Sequence, residues 1–371
     1  MAPMPMREPL FIVGMYKSGT SWLLRILDQH PLLRGVKEID LIGAGAGKIS
    51  GGNTLLPRKE RLMNYFGGNA WGALPTDLQG DYQAISILKR NTGSDSVQSI
   101  FDLPAEQAID AILELYALRN QRGKVEWAPY ESRELLSIVD VPKDLLVSLY
   151  MHIARADTVY TAADSFVKTM YMTLNQNVNL VFKGADTLAR YEMLAKWKPN
   201  AIKIVIVRDG RDAAISAMHY RQLMRSVKRA NVDDEVDYWS LYKGWCNRVR
   251  ILMSLVSDKN LILLRYEDLV LRFESTVIAL FEFLNLPFEK KFIHDIYSAT
   301  NFESLTKRKP GEAASHVMRR GMLGEWKESL SSDDAVKAWK DGGIELSYLG
   351  YTESGEYLPM EISDASCKLA H

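Results

Sequence analysis

The chain has 371 residues, room for one large domain or two smaller ones at about 150 residues each, and its 47% hydrophobic and 25% charged residues are those of an ordinary folded chain. Lys plus Arg and Asp plus Glu both number 46, so the formal net charge is zero; nothing global draws the protein to nucleic acid or to a membrane surface, and any anion site must be local. Its two cysteines, Cys246 and Cys367, exclude a disulfide framework and a structural zinc site and suit a reducing compartment.

The first nine residues lead directly into the apolar run Leu10-Phe11-Ile12-Val13. That run is shorter than the secretory core of about 7–15 residues, and no later stretch reaches the roughly 18 apolar residues of a membrane span. A cytoplasmic, soluble protein is expected. Leu10–Val13, Ile202–Val207 and Leu261–Leu264 are continuous apolar runs, each followed by polar residues or glycine and then by a helical pattern, which fits strands buried on both faces of a parallel sheet. The segment 41–180 differs. It opens on a Gly-rich stretch from Gly43 to Gly52 and continues in helical patterns such as 104–116, so it reads as a mainly helical insertion. Residues 351–371 read as a polar, poorly ordered tail.

After the first strand come Gly14-Met-Tyr-Lys-Ser-Gly-Thr-Ser21 and then the helical pattern Trp22–Gln29, stopped by His30-Pro31. A glycine turn between a buried strand and a helix presents backbone N–H groups and a positive helix end to one point, where phosphate or sulfate binds. Gly14 and Gly19 have the spacing of the nucleotide-binding loop Gly-x-x-x-x-Gly-Lys-[Ser/Thr], but Thr20 stands where that loop needs lysine. The loop's cation is instead Lys17. This argues against a kinase, in which the lysine after the glycine and a Mg²⁺ ion serve the terminal phosphates.

Lys17-Ser18-Gly19-Thr20-Ser21-Trp22 resembles the 5′-phosphosulfate loop of sulfotransferases that use 3′-phosphoadenosine 5′-phosphosulfate (PAPS), with Tyr16 in place of a proline and Ser21 in place of a threonine. Four later segments agree in order. Arg208 and Ser216, eight residues apart, resemble the pair that grips the 3′-phosphate. Leu264–Leu269 matches a segment whose tyrosine, here Tyr266, contacts adenine. Thr300-Asn301-Phe302 resembles a stretch that holds the nucleoside, and Met318–Lys327, with Arg319, Arg320 and Gly321, a loop that closes over the 3′-phosphate. Singly, each has a plain structural alternative: Arg208 in a surface ion pair, Tyr266 and Phe302 as core aromatics, Arg319 and Arg320 as a solvated charge cluster. The resemblance covers residues 9–40 and 181–350.

It implies a single domain over 1–371 of P-loop-like α/β fold, a central parallel sheet flanked by helices, with 41–180 as the acceptor-binding insertion. It further implies PAPS as co-substrate, no metal, transfer to a hydroxyl or less favourably an amine of a small-molecule acceptor, and release of adenosine 3′,5′-bisphosphate. Lys17 then stabilises charge building on the leaving nucleotide's bridging oxygen. The base in many carbohydrate and protein-tyrosine members is a glutamate about twenty residues beyond the lysine; Glu38, twenty-one residues on, is that candidate. Asp40 shares its face if the segment is extended and would raise its pKa. His152, as an alternative base, and His219, one turn after Ser216, are candidates for the acceptor side, while His30 reads as structural. The insertion's aromatics, Tyr65, Phe66, Trp71, Tyr82, Trp127, Tyr130 and Tyr160, fit an apolar cavity or ordinary core packing equally. A P-loop kinase and a nucleotide-binding protein without transfer activity are the competing readings, and sulfation of a β-hydroxyacyl intermediate is a variant of the main one.

Overall fold

Strands β1 (Leu10–Gly14), β2 (Leu33–Gly35), β3 (Asn179–Lys183), β4 (Lys203–Val207) and β5 (Leu261–Arg265) form one parallel sheet in the order β2-β3-β1-β4-β5. The computed structural model describes residues 8–36, 39, 41–42, 62, 65–66, 101, 103–121, 135–174, 178–184, 187–226, 237–255, 258–312 and 319–358. Three of the strands are those expected from the apolar runs. β2, three residues long, and β3 lie outside those runs; the core of β3 is only Leu180-Val181-Phe182 between polar ends, and it lies between β1 and β2.

The period-two geometry of a strand divides these residues between two cores. Phe11, Val13, Val205, Val207, Leu261 and Leu263 face one side, and Leu10, Ile12, Ile204, Ile206, Ile262 and Leu264 the other. Both faces are covered, which is why the strands read as continuous apolar runs. Helix α1 (Thr20–Asp28) covers the second face with Leu23, Leu24, Ile26 and Leu27.

The first face is covered by α2 (Ala105–Gln121), α3 (Lys143–Arg155), α4 (Val159–Thr173), α5 (Tyr191–Trp197), α6 (Gly210–Ser226) and α7 (Tyr238–Ser254). Past β5 come α8 (Tyr266–Leu271), then α9 (Phe273–Phe283) and α10 (Lys290–Thr300), which join α1 on the second face. The last described helices are α11 (Phe302–Thr306), α12 (Trp326–Ser329) and α13 (Ser332–Tyr348).

The described part of 41–180 is mainly helical, as expected; besides the start of β3, Leu136 makes a parallel bridge to Val36. Residues 351–358 depart from expectation. Tyr351 is buried, Tyr351 and Tyr357 form a bridge, and Leu358 N–H donates to Gly350 O at 2.9 Å, so this piece of the polar tail is packed. No helix among the described residues is long and apolar enough to cross a membrane.

Candidate active site

In an open parallel sheet, ligands bind outside the carboxyl ends of the strands, where connections leave in opposite directions. Here that point is the end of β1, flanked by β3 and β4. The loop from β1 to α1 turns through two left-handed residues, Lys17 (φ 64°) and Gly19 (φ 93°). Gly14 is required by contact, because a Cβ there would meet Thr20 Cγ2 at 2.0 Å. Ser18 is buried, and its Oγ donates to Met15 O at 2.6 Å, so its hydroxyl fixes the shape of the loop. Gly19 caps α1 without a side chain, leaving the helix's positive end to the loop.

The Lys17 ammonium lies over the Tyr220 ring at 4.8 Å, and Tyr220 also meets the ring of Tyr16, the residue in the proline position. A second lysine enters from β3. Lys183, almost wholly buried, donates from Nζ to Ser21 Oγ at 2.9 Å. It is absent from the sequence reading because β3 is absent there; a lysine closing a short apolar run was the available signal.

Tyr266 joins the loop to the next segment. A Cβ on Gly19 would sit 2.6 Å from its ring, Trp22 packs edge-on against it at 5.7 Å, and the Arg208 guanidinium lies over it at 4.8 Å. Arg208 is only 9% exposed. Burial opposes its charge, but Asp212 first and then Tyr266, Glu267 and Asp209 hold its pKa above the ordinary arginine value. Its Nη2 donates to Met322 O at 3.0 Å, while its buried Nε has no partner among the described residues. An unused donor on a buried cation fits an anionic ligand. Ser216 lies half-buried on α6, two turns beyond.

The remaining segments join the same group. Trp22 Nε1 donates to Thr300 O at 2.7 Å, whereas the Thr300 hydroxyl donates within its helix to Ile296 O. Gly321 (φ 62°) lies against the face of Phe302, where a Cβ would meet the ring at 2.4 Å. Arg319 pairs with Glu325, and Arg320 reaches Glu325 at 3.4 Å and Glu328 at 3.2 Å. The loop is tied down by Asp212, which accepts from Gly324 N–H at 2.8 Å and Trp326 N–H at 2.9 Å.

The histidines divide. His219 is half-buried on α6; burial, then the charges of Arg319 and Arg320, hold its pKa below the ordinary value, which puts it toward the closing loop. His152 is exposed on α3 with Nδ1 at 2.7 Å from Ser148 O. His30 is structural, with Nε2 on Pro287 O at 2.9 Å and Nδ1 accepting from Leu32 N–H at 3.1 Å. Glu38 and Asp40 lie outside the described residues. Ile39 between them is described, and its N–H donates to Lys183 O at 3.3 Å. Of the insertion's aromatics, Tyr65 and Phe66 are core residues, Tyr65 OH donating to Leu41 O at 2.6 Å. Trp71, Tyr82, Trp127 and Tyr130 lie outside the described residues.

A glycine turn after the central strand of a parallel sheet covered by helices on both faces defines a P-loop-like α/β protein. A family profile described as "Sulfotransferase family" matches residues 9–290, and the chain belongs to that family. It is 24% identical over 143 residues to Sulfotransferase 2A1 of Homo sapiens, covering 34% of this chain and 50% of that one. It is 26% identical over 161 residues to Cytosolic sulfotransferase 10 of Arabidopsis thaliana, covering 37% and 47%. The chain thus spans about half the length of the relatives it matches. Among solved structures it is similar to sulfotransferase STF9 from Mycobacterium avium, with a TM-score of 0.49 at 15% identity, covering 95% of this chain and 79% of that one.

Proposed function

We propose that this protein transfers the sulfuryl group of PAPS to a hydroxyl of a small-molecule acceptor and releases adenosine 3′,5′-bisphosphate. The observation that carries the reading is the convergence on Tyr266: its ring touches the phosphate loop at Gly19 and the buried Arg208, whose Nε has no partner among the described residues. Trp22, Thr300, Phe302 and the 319–324 loop attach to that pair through the contacts above. The residues fit a nucleotide carrying phosphate at both ends, with the loop taking the 5′ group and Arg208, Ser216, Arg319 and Arg320 the 3′-phosphate.

The acceptor oxygen attacks sulfur as the bond from sulfur to the bridging oxygen breaks, so negative charge grows on the leaving side. Lys17 is the cation assigned to that oxygen. Its contact with Tyr220 is an exposed-type cation–π interaction of about 0.5–1 kcal/mol, weak enough to exchange for an anion. Lys183 adds a buried positive charge at Ser21. The acceptor's proton goes to Glu38 in this reading, supported by the anchoring of Ile39 at the carboxyl end of β3. An amine acceptor, and a β-hydroxyacyl acceptor whose sulfate later leaves, are narrower variants.

The test is transfer from radiolabelled PAPS across a panel of phenols, alcohols, amines and β-hydroxyacyl thioesters without added metal. Labelled product from a hydroxyl compound supports the proposal. Mg²⁺-dependent turnover of ATP in its place would return the protein to the kinase reading.

A further inference from the structure

Three buried charged side chains beside the nucleotide-facing residues each place hydrogen bonds on the C-terminal segment. Arg211, three residues after Arg208, donates from Nη2 to Thr352 O at 3.0 Å and from Nη1 to Glu353 O at 3.1 Å, while Asp209 holds its inner edge. Arg265, next to Tyr266, is paired with Asp268 and donates from Nη1 to Leu349 O at 3.2 Å and Gly350 O at 3.3 Å, and from Nη2 to Leu358 O at 2.6 Å. Glu267, on the other side of Tyr266, accepts from Asp209 N–H at 3.0 Å and from Tyr351 OH at 2.8 Å. All three are fully buried.

The segment also meets the closing loop. Gly355 (φ 82°) approaches so closely that a Cβ would lie 2.5 Å from Lys327 Cε and 2.7 Å from Trp326 Cζ2. The face of Trp326 in turn carries the Arg211 guanidinium at 3.9 Å. Residues 349–358 therefore touch the segments that contain Arg208, Tyr266 and Arg319-Arg320. Arg211 and Arg265 are each ion-paired, with Asp209 and Asp268, and turn their remaining donors to main-chain carbonyls of the segment; a buried network of this kind fixes the positions of its members.

We propose that residues 349–358 act as a keystone of the nucleotide site, setting the positions of Arg208, Tyr266 and the 319–326 loop and thereby the preference for a 3′-phosphorylated nucleotide. Tyr351 is the positioning residue at its centre. The inference rests on the PAPS reading above. It goes beyond it in assigning 3′-phosphate selectivity to a segment that does not itself face the ligand.

The test is calorimetric titration of the full chain and of Tyr351→Phe with adenosine 3′,5′-bisphosphate and with AMP, which lacks the 3′-phosphate. Tyr351→Phe keeps the ring and loses one hydrogen bond. Its bisphosphate affinity is expected to fall about tenfold, equivalent to about 1.4 kcal/mol, with AMP affinity changed by less than about twofold. A purely structural role would lower melting temperature and leave the ratio of the two affinities unchanged. Gly355→Ala, which presses on Lys327 and Trp326, carries the same expectation and serves if Tyr351→Phe does not fold. A wild-type ratio in both variants overturns the inference. Failure of the wild-type protein to prefer the bisphosphate over AMP overturns the PAPS reading and the inference with it.

Discussion

The proposed nucleotide side and the proposed acceptor side of this protein are built by different means. On the nucleotide side, short turns at the carboxyl ends of β1, β4 and β5 hold Gly14, Gly19, Arg208 and Tyr266 through backbone constraints and close contacts. On the other side, the described helices α2, α3 and α4 pack by ordinary apolar surfaces such as Ile109, Leu149, Ile153 and Phe166. A phosphate group imposes fixed donors and close backbone approach, so it leaves glycines and arginines at set spacings. An apolar acceptor imposes only shape, and shape leaves no motif.

Substitutions can break this contrast. Glu38→Gln, at the proposed base, is expected to lower turnover by about 10²–10⁴-fold, the usual scale of general base catalysis, with bisphosphate affinity unchanged in a calorimetric titration. Undiminished turnover would move the base role to His152 or another group. Lys17→Ala is expected to lower turnover by about 10²–10³-fold, as for loss of one donor to a developing anion, again with bisphosphate binding largely retained. Equal loss of turnover and affinity in that variant would contradict the separation of charge stabilisation from binding.

Arg208→Ala belongs to the nucleotide side alone. Loss of charge-assisted hydrogen bonds worth about 1.5–3 kcal/mol predicts bisphosphate binding weaker by about 10–100-fold, read as a raised Kd and a raised KM for PAPS, with a much smaller change in kcat. An unchanged Kd would return Arg208 to a structural ion pair with Asp212.

The same contrast explains what was legible in the sequence. The glycine loop, Lys17, Arg208, Tyr266 and Phe302 could be named from residue types and spacing, and the fold brings their segments together. β3 escaped because only three apolar residues lie between Asn179 and Lys183, and Lys183 escaped with it. The keystone escaped for another reason. Arg211 and Arg265 bind main-chain carbonyls of residues 349–358, and carbonyls have no sequence signature, so a segment of polar composition read as a tail.

The smallest expected effect is a pH-dependent one within the keystone. Burial pushes the Glu267 carboxyl up from its ordinary 4.5 to about 7. The folded state then holds the proton more tightly than the unfolded chain, so this group's contribution is fully present below about 4.5 and is lost as pH rises through about 7. Glu267→Gln removes that titration. Its melting temperature relative to wild type is expected to rise as pH goes from acid to slightly alkaline, and a constant difference across that range would contradict the assignment.

The central claim is that the cradle takes a 3′,5′-bisphosphorylated adenosine without metal. It is tested most directly by calorimetric titration of the purified protein with adenosine 3′,5′-bisphosphate, with ATP plus Mg²⁺ titrated beside it. Tight binding of the bisphosphate in the presence of a chelator, and weak or no binding of ATP, is the predicted result. Tight Mg²⁺-dependent binding of ATP with none of the bisphosphate would contradict it.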